Sequence, residues 1–539
     1  MKTRLSLIAV GLMLASSVNA AVPGDNLSKG LDAQSYGQFV KTLSGDDFQG
    51  RLPATEGETK TLAFLQAQYK RLGLKPGFGQ SYLQTVPLVS ITSHPGALTL
   101  GKLKLDYLKD MVINSPKAVT QTEVKDADLV FVGYGIHAPD LGWDDYKGVD
   151  VKGKVVVMLV NDPGYATGDK RFDGKAMTYY GRWDYKFDEA ARQGAAGALI
   201  IHQTAPASYP WSVVENSWGG ARYDLAGQDI AKSDFSGWIT EDAAKRVFSQ
   251  AGLDFAKVTA DAGKTPTALS LGAKASVAMT SEVKNTESHN VMGILPGQTD
   301  ETVIITAHWD HLGIDPSHKD DPVYNGAMDN ATGTAGLISL AQSLKGLYEG
   351  KEKPRRSVAF LAVTAEEQGL LGSKYYVANP SIPLGKTVAN INMDSLNVFG
   401  PTKDMVVVGQ GKTSLERELS AALAKQGRVL VPNDRPEAGG YYRSDHFNFA
   451  KAGIPALYAG GGTQPWDSDV AKYRAMMQKR LKGCYHNACD EYQADWDLRG
   501  ALSDLQALHD VIESLATNRD WPSWQPGAEF SRPPATTAQ

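Results

Sequence analysis

Short apolar blocks set off by glycine, asparagine, aspartate and proline recur along this chain, and they alternate with stretches whose apolar residues return every three or four positions. The first such stretch, 59–72, places Leu62, Phe64, Leu65, Tyr69 and Leu72 at mainly helical spacings and stops at Gly73, which predicts a helix packed on a sheet. Residues 128–135 and 154–160 read as short buried strands, the second closed by Asn161, Asp162, Pro163 and Gly164. A helix at 187–192 and a strand at 198–201 follow, on either side of Gly194. Beyond residue 281, buried strands are expected at 302–306, 357–363, 388–393 and 454–458, with an amphipathic helix at 334–347. Buried strands alternating with helices imply an α/β fold with a mixed, largely parallel sheet between helices.

The changes in texture divide the chain. Residues 1–20 read as a signal peptide, because Lys2 and Arg4 precede a short apolar run and Val18, Asn19 and Ala20 offer a small-x-small cleavage site. That run is too short for an anchor, and no later segment approaches ~20 uninterrupted apolar residues, so no stable membrane anchor is expected. The protein is expected to be exported, to a periplasm or to the medium. Residues 21–125 form the first part of the main domain, 126–280 a smaller inserted β/α domain, and 281–520 the remainder of the main domain. Residues 521–539 contain several prolines and read as a flexible tail.

Composition narrows the classes. With 42% hydrophobic and 21% charged residues the chain is globular rather than disordered. Lys+Arg number 55 against 60 Asp+Glu, so there is no basic excess to condense onto phosphates, and no nucleic-acid partner is expected. The two cysteines, Cys484 and Cys489, flank Tyr485 and His486. In an oxidising compartment they either close a short disulfide loop or stay as two buried thiols, since spacing alone does not fix the geometry. A lone pair is insufficient for a cysteine zinc site.

The chemistry gathers just after the strands beyond 281. His308, Trp309, Asp310 and His311 follow the first, Glu366 and Glu367 the second, and Asp394 the third. Open α/β sheets place ligands outside the carboxyl ends of their strands, which aims His308, Glu366, Glu367 and Asp394 at one crevice. Asp329, just before the amphipathic helix, and His486, on a late loop, can reach the same place. Carboxylates packed this densely repel one another unless cations neutralise them, and two divalent metals would do so while supplying chemistry. Imidazole and carboxylate ligands suit zinc better than magnesium.

The ordered run of His308, Trp309 and Asp310, then Asp329 and Asn330, Glu366 and Glu367, Asp394 and finally His486 resembles the M28 family of co-catalytic zinc peptidases. Residues 288–297 resemble its entry segment, Gly50, Arg51, Leu52 and Pro53 with the helix after them resemble its N-terminal part, and 126–280 resemble an inserted protease-associated (PA) domain. The resemblance implies a zinc-peptidase fold, peptide substrates and two zinc ions per subunit. It implies that Asp329 bridges the metals, that His308 and Asp394 complete one site, and that Glu367 and His486 complete the other. Glu366 would be the general base acting on a metal-bridging hydroxide, Asp310 would hold the other nitrogen of His308, and Tyr485 would donate to the tetrahedral oxyanion.

The activity implied is an exported aminopeptidase. A glutamate-carboxypeptidase-like carboxypeptidase or dipeptidase is the alternative, favoured if Arg435 and Arg443 form a basic pocket; a receptor-like protein and a one-zinc glutaminyl cyclase are the others. His311 is read as packing or hydrogen-bonding near the site rather than as a ligand, His446 as structural or as a pocket border, and Asp144 with Asp145 as a turn pair rather than a calcium site.

Overall fold

Four strands buried along both faces form the centre of the main domain: Ser357–Val363, Thr302–His308, Thr387–Asn392 and Ala456–Gly461, parallel and adjacent in that order. The structure is a computed structural model, and it describes residues 23–24, 26–218, 220–228, 230–316, 318–467 and 469–532. The expected signal peptide, 1–20, lies outside the described residues. Alternation along each strand assigns side chains to two separate cores. Val303, Ile305, Ala307, Val358, Phe360 and Ala362 face one, which holds the helices Ala33–Leu43, Glu56–Arg71, Thr332–Leu347 and Arg499–Thr517; Ile304, Ala359, Leu361 and Val363 face the other, with Tyr376 and Phe449. Antiparallel partners lie on both sides. Leu269–Leu295 borders Ser357–Val363, and Asp404–Val407 borders Ala456–Gly461, so the sheet is mixed. Because the four central strands run the same way, the residues that follow them emerge at one end.

A second lobe repeats the logic on a smaller scale. Gln121–Phe131, Val155–Leu159, Gly197–His202 and Phe235–Thr240 pair in parallel, with Met111–Asn114 antiparallel at the edge. Val155, Val157 and Leu159 enter one core and Val156, Met158 and Val160 another. This lobe begins earlier than the shift near 126 suggests, because Leu98, Leu100, Leu105, Met111 and Ile113 already pack in its core. Their strands are too short for a two-residue alternation to stand out. The lobe joins the main domain through a long antiparallel ladder, Leu83 opposite Val291 to Pro95 opposite Met279.

The lobes also meet over the sheet end. The Met177 N–H donates to the Pro436 carbonyl at 3.1 Å, and the Tyr179 and Phe447 rings lie 5.1 Å apart. The stretch after 521, read from its prolines as flexible, is packed here as far as Arg532. Trp524 donates its indole N–H to the Gly453 carbonyl at 2.9 Å, Glu529 accepts from the Tyr442 hydroxyl at 2.8 Å, and Phe530 lies against Phe447. These aromatic and polar contacts outweigh the loop-like composition. Among the described residues no helix is long and apolar enough to cross a membrane.

Candidate metal centre

Six side chains converge beyond the carboxyl ends of the central strands. His308 ends its own strand, Glu366 and Glu367 follow the turn after Val363, and Asp394 lies two residues beyond Asn392. Asp329 sits in the loop entering Thr332–Leu347, where the Asp490 carboxylate accepts the backbone N–H groups of Met328 and Asp329 at 2.9 and 3.0 Å. His486 lies in a loop closed by the Cys484–Cys489 disulfide, so of the two readings of that cysteine pair the structure takes the bonded one.

The two carboxylate oxygens of Asp329 face different histidines. Oδ1 is 3.3 Å from His308 Nε2 and Oδ2 is 3.4 Å from His486 Nε2. Asp394 Oδ1 stands 3.5 Å from the same nitrogen of His308, and Glu367 Oε2 stands 2.9 Å from that of His486. Ligands about 2.0–2.1 Å from a tetrahedral zinc are separated from one another by roughly 3.3 Å. Three of the four spacings therefore match neighbouring corners of a coordination tetrahedron rather than direct hydrogen bonds. His308 Nε2 is buried and lacks a hydrogen-bond partner among the described residues, and His486 Nε2 has Glu367 Oε2 at 2.9 Å. Buried imidazole nitrogens converging on carboxylates fit a pair of cations.

The local field points the same way. Burial opposes charge on His486, yet Glu367 and Asp329 overcome it and push the imidazole up to about 10. Burial likewise opposes charge on His308, and Glu366, Asp329 and Asp394 hold it well above the ordinary histidine range. Burial, with the charges of Glu367, Asp394 and Asp445, holds Glu366 well above the usual carboxylate range. A pocket that draws protons onto two buried imidazoles is one that calls for positive charge.

The remaining sequence candidates divide. The Asp310 carboxylate is fully buried and accepts the backbone N–H groups of Glu366 and Glu367 at 3.1 and 3.4 Å. His308 Nδ1 is 3.1 Å from the Asp310 backbone carbonyl, and the Asp310 carboxylate is farther, at 3.8 Å. The expected hold on His308 thus comes from the main chain of Asp310, because two amides of the next turn already engage its carboxylate. Tyr485 stacks on His486 with ring centroids 3.9 Å apart. His311 is buried and its Nδ1 lies 2.8 Å from Glu367 Oε1, as a hydrogen-bonding neighbour of the site. His446 packs between the rings of Tyr441 and Tyr458, and burial holds it down to about 3, so it is a neutral core residue. Asp145 accepts three backbone N–H groups, from Tyr134, Ile136 and Thr267, which makes it a turn organiser in the second lobe.

Arg51 is the main participant that sequence reasoning left without a role. Its buried guanidinium donates to the carbonyls of Trp309 at 2.8 Å, Leu43 and Asn325 at 2.6 Å, and Gly326 at 2.8 Å. One cation from the N-terminal segment thereby ties the loop after His308 to the loop before Asp329. The only trace in the sequence is an arginine within a turn-rich entry, Gly50 to Pro53. Arg51→Met would leave these carbonyls unpaired, and a loss of roughly 3 kcal/mol is expected in denaturant unfolding, together with weaker retention of bound metal.

The centre opens into a cavity of about 1540 Å³ between the two lobes, lined by Glu366, Glu367, Tyr485 and His486 on one side and by Arg182, Trp183 and Tyr209 of the second lobe on the other. Residues 290–508 match peptidase family M28. The chain is 30% identical over 209 residues to leupeptin-inactivating enzyme 1 of Streptomyces exfoliatus, covering 38% of this chain and 43% of that protein. It is 28% identical over 220 residues to an aminopeptidase of Pseudomonas aeruginosa, covering 38% of each. The matched segment thus spans less than half the length of these relatives. Among solved structures, an aminopeptidase from Aneurinibacillus sp. strain AM-1 superposes with a TM-score of 0.53 at 20% identity, over 94% of this chain and 97% of the other, which establishes a shared fold.

Proposed function

We propose, from the premise that residues 290–508 are a domain of peptidase family M28, that this chain is a two-zinc metallopeptidase removing residues from the amino end of peptides. The observation that carries this reading is Asp329, which turns one oxygen to His308 and the other to His486. His308, Asp394 and Asp329 would hold one zinc; Glu367, His486 and Asp329 would hold the other. Bound there, the pair would polarise the scissile carbonyl and bring the pKa of a water from 15.7 toward ~7. Glu366 takes part in none of the four histidine–carboxylate spacings, so its carboxylate is left to accept the proton of the attacking water and return it to the leaving amine. Asp310 fixes the turn that aims Glu366 by binding its backbone N–H. Tyr485, stacked on His486 and lining the cavity, would donate its hydroxyl proton to the developing oxyanion.

The amino-end preference is supported by relatives named as aminopeptidases, including the Pseudomonas aeruginosa protein and YwaD of Bacillus subtilis. The second lobe, which covers the cleft as the PA-like insert of the sequence reading, would limit entry to peptides or chain ends. Export is supported by the signal-like start and by the Cys484–Cys489 disulfide, a bond that persists in oxidising compartments. The test pairs metal analysis with short peptides that carry a free carboxyl end and a free or acetylated amine. Two zinc equivalents per chain and loss of cleavage on acetylation are expected. Equal cleavage of the acetylated series would move the assignment to the carboxypeptidase alternative, and one zinc equivalent would favour the cyclase.

A further inference from the structure

The two histidines of the centre are not supported alike. His308 ends a strand of the central sheet, is 1% exposed, and has its Nδ1 at 3.1 Å from the Asp310 carbonyl. His486 follows the helix Val470–Cys484, and of that helix's described side chains only Tyr473 is buried. The backbone of His486 has a φ of +54°, in the left-handed region that a residue with a Cβ seldom adopts unless its surroundings hold it there. It sits in a short ring of chain. The Asn487 N–H donates to the Cys484 carbonyl at 3.0 Å, the Asn487 side-chain amide donates to the Tyr485 carbonyl at 2.9 Å, and the Cys484–Cys489 disulfide joins the ends.

The far end of this ring is fixed to the metal centre. Asp490 directly follows Cys489 and is buried; its carboxylate accepts the N–H groups of Met328 and Asp329, and its carbonyl accepts that of Ala327 at 2.9 Å. The disulfide carries this hold round to Cys484, so that His486 is bracketed between two tethered ends. Without the bond, Cys484 would be tied to Asp490 only through the loop itself, and the loop would regain conformational freedom that metal binding must then remove. The bond is also within reach of solvent. Cys489 is exposed, and a second cavity of about 280 Å³ is lined by both cysteines together with Asp329 and Asp490.

We propose that the Cys484–Cys489 disulfide is the positioning element of the His486–Glu367 half-site, so that reducing it weakens the hold on one zinc and spares the zinc held by His308 and Asp394. The inference rests on the two-zinc reading above and adds a redox dependence confined to half of the centre. A phosphine serves as reductant. Its phosphorus attacks Cys489 Sγ, and the S–S bond breaks with its electron pair passing to Cys484 Sγ. Water then displaces Cys489 Sγ from phosphorus, its oxygen leaving as the phosphine oxide and its two protons ending on the two thiols. The disulfide is reduced and the phosphine oxidised by two electrons.

The experiment uses the full chain, oxidised or treated with a phosphine that is removed before metal is added, and measures zinc affinity by competition with a chelator. The oxidised chain should bind two zinc ions. Reduction should weaken one of them about 10–100-fold, as loss of a group that orients a ligand does, and leave the other within about threefold. Reoxidation should restore both. In Glu367→Gln, where the zinc of His308 and Asp394 remains, reduction should leave the affinity unmoved. Thermal unfolding of the metal-free chain should change little between the two redox states, because so short a closed loop is the least stabilising kind. The double variant Cys484→Ser/Cys489→Ser should match the reduced chain and ignore the phosphine; the reduced wild-type chain, folded beforehand, gives the result without it. Two zinc ions bound equally well before and after reduction would overturn this inference alone. So would equal weakening of both ions together with a lower melting temperature of the metal-free chain, which is the result of a general structural role. A single zinc in the oxidised chain would overturn this inference and the two-zinc reading together.

Discussion

Asp329→Ala is expected to leave less than one zinc per chain after gel filtration and to lower kcat/KM by at least about 10⁴-fold. The reason is geometric. His308 and His486 do not approach each other through a shared contact of their own; each meets a different oxygen of Asp329, at 3.3 and 3.4 Å. Removing that carboxylate deprives both half-sites of a ligand at once, whereas removing Asp394 or Glu367 would affect one. Binding of metal to the native state alone stabilises it by about 2.7 kcal/mol at a hundredfold excess over Kd, so wild-type protein should melt higher with zinc than without. Asp329→Ala should lose most of that difference. Asp329→Asn, which keeps one oxygen acceptor, should retain partial occupancy. A variant that binds two zinc ions and works at the wild-type rate would refute the shared-carboxylate arrangement.

Glu366→Gln should separate metal binding from turnover. The expected result is two zinc ions retained, KM little changed and kcat lower by about 10²–10⁴-fold. The amide keeps the volume of the side chain and its place on the turn held by Asp310, but it cannot take a proton. Glu366 takes no part in the four spacings of 2.9–3.5 Å that join His308 and His486 to Asp329, Asp394 and Glu367. Its neighbour Glu367 lies 2.9 Å from His486 and 2.8 Å from His311. Glu367→Gln should therefore lose zinc where Glu366→Gln does not. If Glu366→Gln were instead the variant that lost metal, the roles of the two adjacent glutamates would have to be exchanged. Two consecutive residues with opposite effects on zinc content and on kcat would be hard to obtain from a general loss of structure.

The amino-acid sequence by itself determined the central sheet and the end of it that matters. Runs such as Val303 to Ile305 and Val358 to Val363 are apolar at every position, which only a strand covered on both faces can satisfy, and the polar residues that follow them must then emerge together. That local rule places His308, Glu366, Glu367 and Asp394 without reference to anything distant. Tertiary structure alone decided what each carboxylate touches. Asp310 is two residues from His308, yet its carboxylate is occupied by amides more than fifty residues away, and only its carbonyl serves the histidine. Arg51 and Asp490 act on the same centre from opposite ends of the chain, through backbone groups that carry no signature in sequence. The wall that the second lobe gives to the cavity depends on how the two lobes are set by the Leu83–Pro95 ladder and by the aromatic contacts around Phe447. Burial periodicity is a short-range property and can be read along the chain. The partner of a buried charge is fixed by competition among all the groups the fold brings within reach, and that competition is settled only in three dimensions.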